Sequence, residues 1–420
     1  MSVQFAESFP AANDAAAPPP RRSREEILAG LPAVAAEIAA GAVQRELNRE
    51  LPFEVFRRLR ETGLTWLRVP RSLGGPGGTL ADQVEITCTL AAADSNVAHA
   101  LRGHFGFIES IALDPQAPAS RKWVDEVLAG KLFGGANMEI GTPRPNMLRT
   151  TLLKDGDRYR LNGRKWYATG AIYADYTSFS ALDEDGQMTG CLVPADRAGV
   201  RINDDWDGMG QRLTASGGVE LDNVEVWPHE VSVRRSTNPF MRRHGAARAQ
   251  LHLVAVIGGI VRNVLADATA YVQKSARSAK HSASETAAGD HFVQQVVGDI
   301  AAVSHAIDTL IADAARTLDV SAAAITAGTL DHAALDALVM RSALAQSKTQ
   351  IIVGRMAIQA AEQMFDTGGG SATARKYDFD RHWRNIRTIL NHNPIKLRGR
   401  VIGDYVLNGA RADFDEGRVF

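Results

Sequence analysis

Three arginines at three-residue intervals, Arg381, Arg384 and Arg387, lead to a histidine, His392, that is followed by Asn393 and Pro394. Trp383, Ile386 and Leu390 lie between and beyond them, a spacing that predicts a helix with one basic and one apolar face. Pro394 cannot continue such a helix without cost, so His392 is expected on the turn that ends it. An imidazole there has an ordinary pKa of about 6.5 and could manage a proton near neutrality. Taken alone, the same pattern also fits a surface helix whose last-turn histidine does little. A second pair, His99 and His104, is spaced by five residues, roughly 140° around an α-helix, so the two share neither a face nor a metal.

Composition removes several function classes. The chain has 420 residues, a net charge of −1 and 45% apolar residues. No global field points to nucleic acid or a membrane surface, and the length suits two or three packed units. The two cysteines, Cys88 and Cys191, form neither a metal spacing nor a disulfide framework, so a cytoplasmic setting is the default. No apolar run is expected to reach the ~20 residues of a membrane helix, and the N-terminus lacks the order of a signal peptide.

The elements that would position these groups follow from periodicity. Residues 1–22 read as a disordered arm rich in Ala and Pro. From 23 to 130 the pattern is helical, opened by a capping box at Ser23 and Glu26. Leu64 to Pro70 reads as a short extended piece, and Arg71 to Gly78 as a structural glycine-rich loop without a Walker lysine. Thr79 caps a helix to about Ala93, which breaks at Asp94-Ser95-Asn96 and resumes from Val97 with both histidines. From 131 to 232 the period becomes 2, with turn signals at Asp155-Gly156, Asn162-Gly163, Asp185-Gly186 and Asp222-Asn223, which predicts an antiparallel β unit. From 233 to 420 the chain reads as a helical bundle whose Ala- and Val-rich faces would pack against another copy. No GxGxxG opens a βαβ unit, so the chain should not itself bind a nicotinamide.

Several stretches resemble the acyl-CoA dehydrogenase superfamily. They are the glycine turn Asp366 to Ser371, the helix Arg384-Asn385-Ile386-Arg387, the strand end Lys165-Trp166-Tyr167-Ala168-Thr169-Gly170, and Trp206 to Ser216 with its Trp-x-x-x-Gly-x-Arg-x-Thr-x-Ser order. Where that superfamily carries a glutamate base after the helix, this chain has Asn391-His392-Asn393-Pro394. That exchange is similar to the flavin-dependent monooxygenase branch typified by dibenzothiophene monooxygenase, matched here by Arg381, Trp383, Arg384, Asn385, Arg387, Thr388, His392 and Pro394.

The resemblance implies an α+β fold with an N-terminal helical domain, a middle antiparallel β-barrel-like domain and a C-terminal helical bundle assembled as a homotetramer. It implies reduced FMN delivered by a separate NAD(P)H-dependent flavin reductase, and a flavin C4a-hydroperoxide that oxygenates a small organosulfur compound. It assigns the proton to His392 with His99 assisting, the flavin edge to Asn137 and Thr169, the ring wall to Trp206, the ligand pocket to Ser216, and the flavin phosphate of a neighbouring subunit to Arg277. Arg375 is a further anion candidate. Where that branch shows a Tyr, this chain has Gly103, which bears on the shape of the substrate. Without the resemblance, Thr169 fits an ordinary strand threonine, Trp206 core packing and Arg277 a solvated helix end. The alternatives are an N- or C-hydroxylase on the same scaffold, an FAD-dependent acyl-CoA dehydrogenase with a relocated base, or a catalytically idle scaffold.

Overall fold

The structure is a computed structural model that describes residues 22–144, 147–232, 238–392 and 395–415. The expected N-terminal arm, apart from Arg22, lies outside the described residues, as do Asn393 and Pro394.

The first helix begins where the sequence expects. Ser23 accepts from the Glu26 backbone while the Glu26 carboxylate accepts from the Ser23 N–H at 2.7 Å, which caps α1 (Arg24–Ala40). Ile27, Leu31, Val34 and Ile38 recur on one face and are buried. Short helices α2 (Ala42–Asn48) and α3 (Phe53–Leu59) follow. The stretch from Leu64 to Pro70 is a series of turns and not an extended piece. Leu64, Trp66, Leu67 and Val69 are all buried, so its apolar run serves burial on several sides, which a turn achieves and an alternating strand does not. Next come α4 (Leu80–Ala93), α5 (Ser95–Ala100), α6 (Arg102–Leu113) and α7 (Pro118–Leu128).

The middle unit is a curled eight-stranded sheet of β1 (Phe133–Ala136), β2 (Thr151–Asp155), β3 (Arg158–Lys165), β4 (Tyr176–Leu182), β5 (Met188–Pro194), β6 (Val200–Ile202), β7 (Val219–Val226) and β8 (Val231–Ser232). Its order is β6-β7-β3-β2-β4-β5-β8, with β1 beside β4. Most pairings are antiparallel, but β1 and β2 both run parallel to β4. The expected all-antiparallel unit is thus a mixed sheet. Hairpin signals specify local pairs, whereas β1 reaches β4 over a long connection that no turn motif announces. Alternate residues of the sheet, among them Leu152, Leu161, Phe179, Cys191, Leu221 and Val224, form a separate apolar core.

The C-terminal unit contains α8 (Pro239–Lys274), α9 (His291–Ala327), α10 (His332–Gln363), α11 (Asp380–Leu390), α12 (Ile395–Asn408) and α13 (Ala412–Asp415). Two stretches, Arg24–Asn48 and Pro239–Lys274, are long and apolar enough by composition to cross a membrane, contrary to the sequence expectation. For α8, burial explains the composition. Its most apolar window is 61% buried, and a Cβ at Gly259 would lie 2.3 Å from the Cys88 carbonyl oxygen, so the glycine lets α4 and α8 touch.

Candidate active site

The site is built outward from α5. Asp94 starts that helix by accepting from the Asn96 N–H at 3.1 Å and is itself held by Arg45 at 3.0 Å. The helix carries His99 into the interior, where its Nδ1 lies 3.0 Å from Gln211 Oε1. The amide oxygen can only accept, so His99 is protonated on Nδ1 and presents a lone pair at Nε2. Burial first, and Arg102 second, pull its pKa down to about 4, with Gln211 opposing.

Gln211 joins three units of the fold. Its side-chain nitrogen donates to Ser95 at 3.0 Å and its backbone N–H to Asn385 Oδ1 on α11 at 2.6 Å. Asn385 closes the ring by donating to Ser95 at 3.2 Å. The Gln211 carbonyl accepts from Trp206 Nε1 at 3.0 Å and from Thr214 Oγ1 at 2.8 Å.

From Thr214 a chain of hydroxyls runs outward. Thr214 meets Ser216, and Ser216 meets Thr169, each at 2.7 Å. Because Thr214 donates to a carbonyl, Ser216 must donate to Thr214 and Thr169 to Ser216, so Thr169 turns an accepting lone pair outward. Asn137 is oriented in the complementary sense. Its Oδ1 accepts from Ser180 at 2.7 Å, and its Nδ2 makes no hydrogen bond among the described residues.

The two strand ends bearing Asn137 and Thr169 are tied by the Met138–Trp166 bridge and by a buried Lys165–Glu139 ion pair at 2.6 Å. Half-buried Trp206 and exposed Tyr167 stand 6.1 Å apart beside them. Three non-glycine residues here have left-handed backbones: Tyr167 at φ 57°, Gln211 at 52° and Ala215 at 47°. Such strain, on the order of 1 kcal/mol each, persists where surrounding contacts over-determine it and gathers at functional sites.

The opposite wall is cationic. Arg102 on α6 donates through Nε to Ala249 O on α8 at 3.2 Å, and its Nη1 lies 3.3 Å from His392 Nε2. A guanidinium has no acceptor, so His392 accepts at Nε2 and carries its hydrogen on Nδ1. His252 donates to Ala98 O at 2.9 Å, and burial, then Arg248, His99 and Arg102, hold its pKa well below the usual imidazole range. His104 is a core residue. It donates to Thr65 O at 2.9 Å, accepts from the Phe133 N–H at 3.2 Å, and is pushed by burial to about 4.

The expected faces of α11 are partly overturned. Arg381 and His382 hold Asp267 at 2.6 and 2.9 Å, and Arg384 holds Asp378, Asp380 and Glu46. Only Arg387 of the three arginines is exposed, and Trp383, expected on the apolar face, is 38% exposed. The arginines are spent on seating the helix, because their carboxylate partners come from three separate parts of the chain. Arg277, beyond the end of α8, and Arg375 are exposed and stand outside the cluster.

Sequence reasoning singled out His99, His392, Asn137, Thr169, Trp206 and Ser216; hydrogen bonds through Gln211 and Thr214 link His99, Trp206, Ser216 and Thr169, while Asn137 stands on the neighbouring strand end and His392 meets Arg102. It missed Gln211, Arg102, Arg248 and His252. Gln211 lies inside the Trp206 to Ser216 motif, but nothing in that spacing marks a left-handed residue. Gly103 faces the β1 backbone, where a Cβ would stand 3.6 Å from Gly135 N. A cavity of about 660 Å³ between α9 and α10, lined by Leu310, Met340, Lys348 and Tyr405, shares no residue with this cluster.

A helical unit, a curled sheet and a long-helix bundle in this order define the acyl-CoA dehydrogenase fold. Acyl-CoA dehydrogenase profiles match the chain in sequence order, the N-terminal domain over residues 32–131, the middle domain over 137–224 and the C-terminal domain over 251–396. The chain belongs to the acyl-CoA dehydrogenase family. It is similar to the protein named "Probable FMNH2-dependent monooxygenase SfnC" of Pseudomonas putida, 28% identical over 385 residues, 90% of this chain and 94% of that one. The dibenzothiophene monooxygenase of Mycolicibacterium goodii is 28% identical over 391 residues, 87% of this chain and 93% of that one. The solved structure of methanesulfinate monooxygenase MsuC from Pseudomonas fluorescens superposes with a TM-score of 0.80 at 26% identity, covering 91% of this chain and 97% of that one.

Proposed function

We propose that the protein is a two-component flavin-dependent monooxygenase that takes reduced FMN from a separate NAD(P)H-dependent reductase and oxygenates a small organosulfur compound with O2. The observation that carries this reading is a pair of imidazoles, His99 held by Gln211 and His392 by Arg102, with His392 where the acyl-CoA dehydrogenase resemblance implies a glutamate. Glu46, Asp94 and Glu109 nearby are each held by arginines. None of them is the free glutamate base that the acyl-CoA dehydrogenase resemblance implies for removing a proton from a thioester.

The residues fit a flavin. Asn137 offers N–H donors and Thr169 an acceptor, at two strand ends held rigidly side by side, and Trp206 and Tyr167 supply flat walls. A reduced flavin carries a hydrogen on N5 that the oxidised form lacks, and an outward acceptor at Thr169 suits it. When bound, the reduced flavin would supply the two electrons that activate O2, one atom of which goes to the substrate and the other to water. His392 holds a hydrogen on Nδ1, with Arg102 fixing the tautomer through Nε2. His99 keeps a lone pair at Nε2 able to accept a hydrogen bond, and burial keeps the ring neutral at pH 7. Ser216 orders the hydroxyl chain behind Thr169.

Similarity to SfnC, dibenzothiophene monooxygenase and MsuC supports FMN and an organosulfur acceptor. Exposed apolar side chains on the bundle, Phe292 at 80% and Leu407 at 82%, support assembly into a homotetramer, and the free buried thiols Cys88 and Cys191 suit a cytoplasmic setting.

The test is oxygen uptake by the purified protein with a generic flavin reductase, NADH and FMN, over panels of sulfones, sulfinates, thiophenes, amines and phenols. Uptake with sulfur acceptors, abolished in His392→Ala at nearly unchanged flavin affinity, is the expected result. Oxidation of amines or phenols alone would make the enzyme an N- or C-hydroxylase. Tightly retained FAD with acyl-CoA oxidation would overturn the reading.

A further inference from the structure

We infer that Arg248, supported by Arg102, is the anchor for a negatively charged head group of the substrate, so that the acceptor is an anionic organosulfur compound such as a sulfinate. The inference rests on the monooxygenase reading for the identity of the ligand, but the anion site itself is argued from the chain alone.

Arg248 lies on α8 and is only 6% exposed. Its Nη1 is fully buried without a hydrogen-bond partner, and the residue makes no ion pair among the described residues. The Glu109 carboxylate, whose charge favours the Arg248 cation, is committed elsewhere: Arg68 holds it at 2.9 Å and His244 at 2.9 Å. Arg248 in turn disfavours the cation of Arg102, which also lacks a carboxylate partner among the described residues.

An isolated buried guanidinium is one of the costliest groups a protein can hold, and its neighbour here is a second cation instead of a counter-ion. Burial lowers both arginines to about 10, so both stay charged at neutral pH. The imidazoles around them, His99 and His252, are held neutral, so nothing in this wall cancels the charge. Gly106 packs against Arg248, and a Cβ there would come within 2.8 Å of Arg248 Nη2, so the glycine leaves the guanidinium room that a larger side chain would take.

A planar guanidinium matches two oxygens of one oxyacid group in parallel. A sulfinate offers two such oxygens and keeps a lone pair on sulfur, so it can be gripped by its oxygens with sulfur left free. Arg102 links this anchor to His392 at 3.3 Å, which puts the charged head group and the proton-bearing imidazole on the same wall. A neutral sulfone can accept hydrogen bonds there but brings no charge to offset the buried cation, and a thiophene brings neither.

The experiment is calorimetric titration of the full-length, flavin-free protein with methanesulfinate, dimethyl sulfone, FMN and riboflavin, in the native chain and in Arg248→Met and Arg248→Lys. Methanesulfinate should bind at least about tenfold tighter than dimethyl sulfone, should lose roughly 100-fold in Arg248→Met and should recover in part in Arg248→Lys. Dimethyl sulfone should be unaffected. Ligand-free Arg248→Met should melt no lower than the native chain, since it removes an unpaired buried charge, and methanesulfinate should no longer raise its Tm. Equal binding of the two sulfur compounds, or an unchanged methanesulfinate affinity in Arg248→Met, overturns the inference. So does a loss confined to FMN and not riboflavin, which would assign Arg248 to the flavin phosphate. Absence of oxygen uptake with every acceptor would defeat the monooxygenase reading and leave these binding results standing.

Discussion

Gln211 Oε1 accepts the Nδ1 hydrogen of His99 at 3.0 Å, and so fixes which nitrogen of that buried ring keeps a lone pair. The same residue ties α5 to α11 through Asn385 and carries Trp206 on its carbonyl. Replacing it with leucine should leave the fold intact but free the ring to take either tautomer. We expect Gln211→Leu to lower turnover about 10–100-fold, an effect typical of residues that orient a functional imidazole, with a much smaller change in flavin affinity. Steady-state oxygen uptake and a flavin titration on the same samples separate the two. Equal losses in both would mean that Gln211 is chiefly a scaffold.

Buried imidazoles also set how stability responds to acid. His104 titrates at about 4 in the folded chain, because burial disfavours its charged form, against an ordinary value of 6.5. His99 and His382 behave alike, and His252 is shifted in the same direction. Their pKa values are depressed on folding, so between pH 6.5 and 4 the unfolded chain binds more protons and stability rises with pH. The contribution is fully present above about pH 6.5 and is lost as pH falls toward 4, with a ceiling of roughly 3 kcal/mol for one histidine shifted this far. Thermal melts from pH 7.5 to 4.5 should therefore fall steeply, and His104→Gln should flatten that slope while lowering Tm at pH 7.5. A native melting curve level across this range would contradict the depressed values.

Gly170 is where α5 meets the strand end that carries Thr169. Its φ is +75°, and a Cβ there would stand 2.1 Å from the Ala100 carbonyl oxygen. Both facts oppose any side chain, one through backbone strain and the other through a clash with main chain that cannot rotate away. Gly170→Ala should cost at least about 2 kcal/mol and weaken flavin binding as well, since it pries His99 and Thr169 apart. Denaturant melts combined with a flavin titration test this. Unaltered stability would show that the contact yields.

These three sites differ in how far the sequence announces them. Local signals carried well. The capping box at Ser23 and the cap at Thr79 start α1 and α4 as expected, the latter closing a box with Asp82, and the change from period 3.6 to period 2 marks the sheet. His99, Thr169 and Trp206 were singled out through the family resemblance, since their residue types alone equally fit a satisfied helix histidine, a strand threonine and core packing. Gln211, Arg102 and Arg248 were not, because what matters about them is a partner, or its absence, more than a hundred residues away. Arg248 looks in sequence like any helix arginine; only the commitment of Glu109 to Arg68 and His244 leaves it unpaired. Arg381 and Arg384 erred in the other direction, since a three-residue repeat suggests a solvated basic face and gives no hint of Asp267 or Glu46. The turns over Leu64 to Pro70 and the parallel edge of β1 on β4 are likewise set by burial and by long-range pairing.

The remaining prediction concerns the phosphate end of the flavin. Arg277 and Arg375 are exposed, make no side-chain hydrogen bond among the described residues, and lie apart from the cluster around His99. An exposed guanidinium contributes little to folding, so replacing either should leave Tm nearly unchanged. If one of them meets the flavin phosphate across a subunit contact, its loss removes a charge-assisted pair of hydrogen bonds and weakens FMN by about tenfold or more, while riboflavin, which has no phosphate, binds as before. The same geometry makes FMN affinity depend on assembly. Dilution to the point where sedimentation shows single chains should lower FMN affinity in the native protein and should have little further effect in Arg277→Ala. Equal weakening of FMN and riboflavin, or FMN binding that ignores dilution, would rule out a phosphate contact across subunits by these arginines.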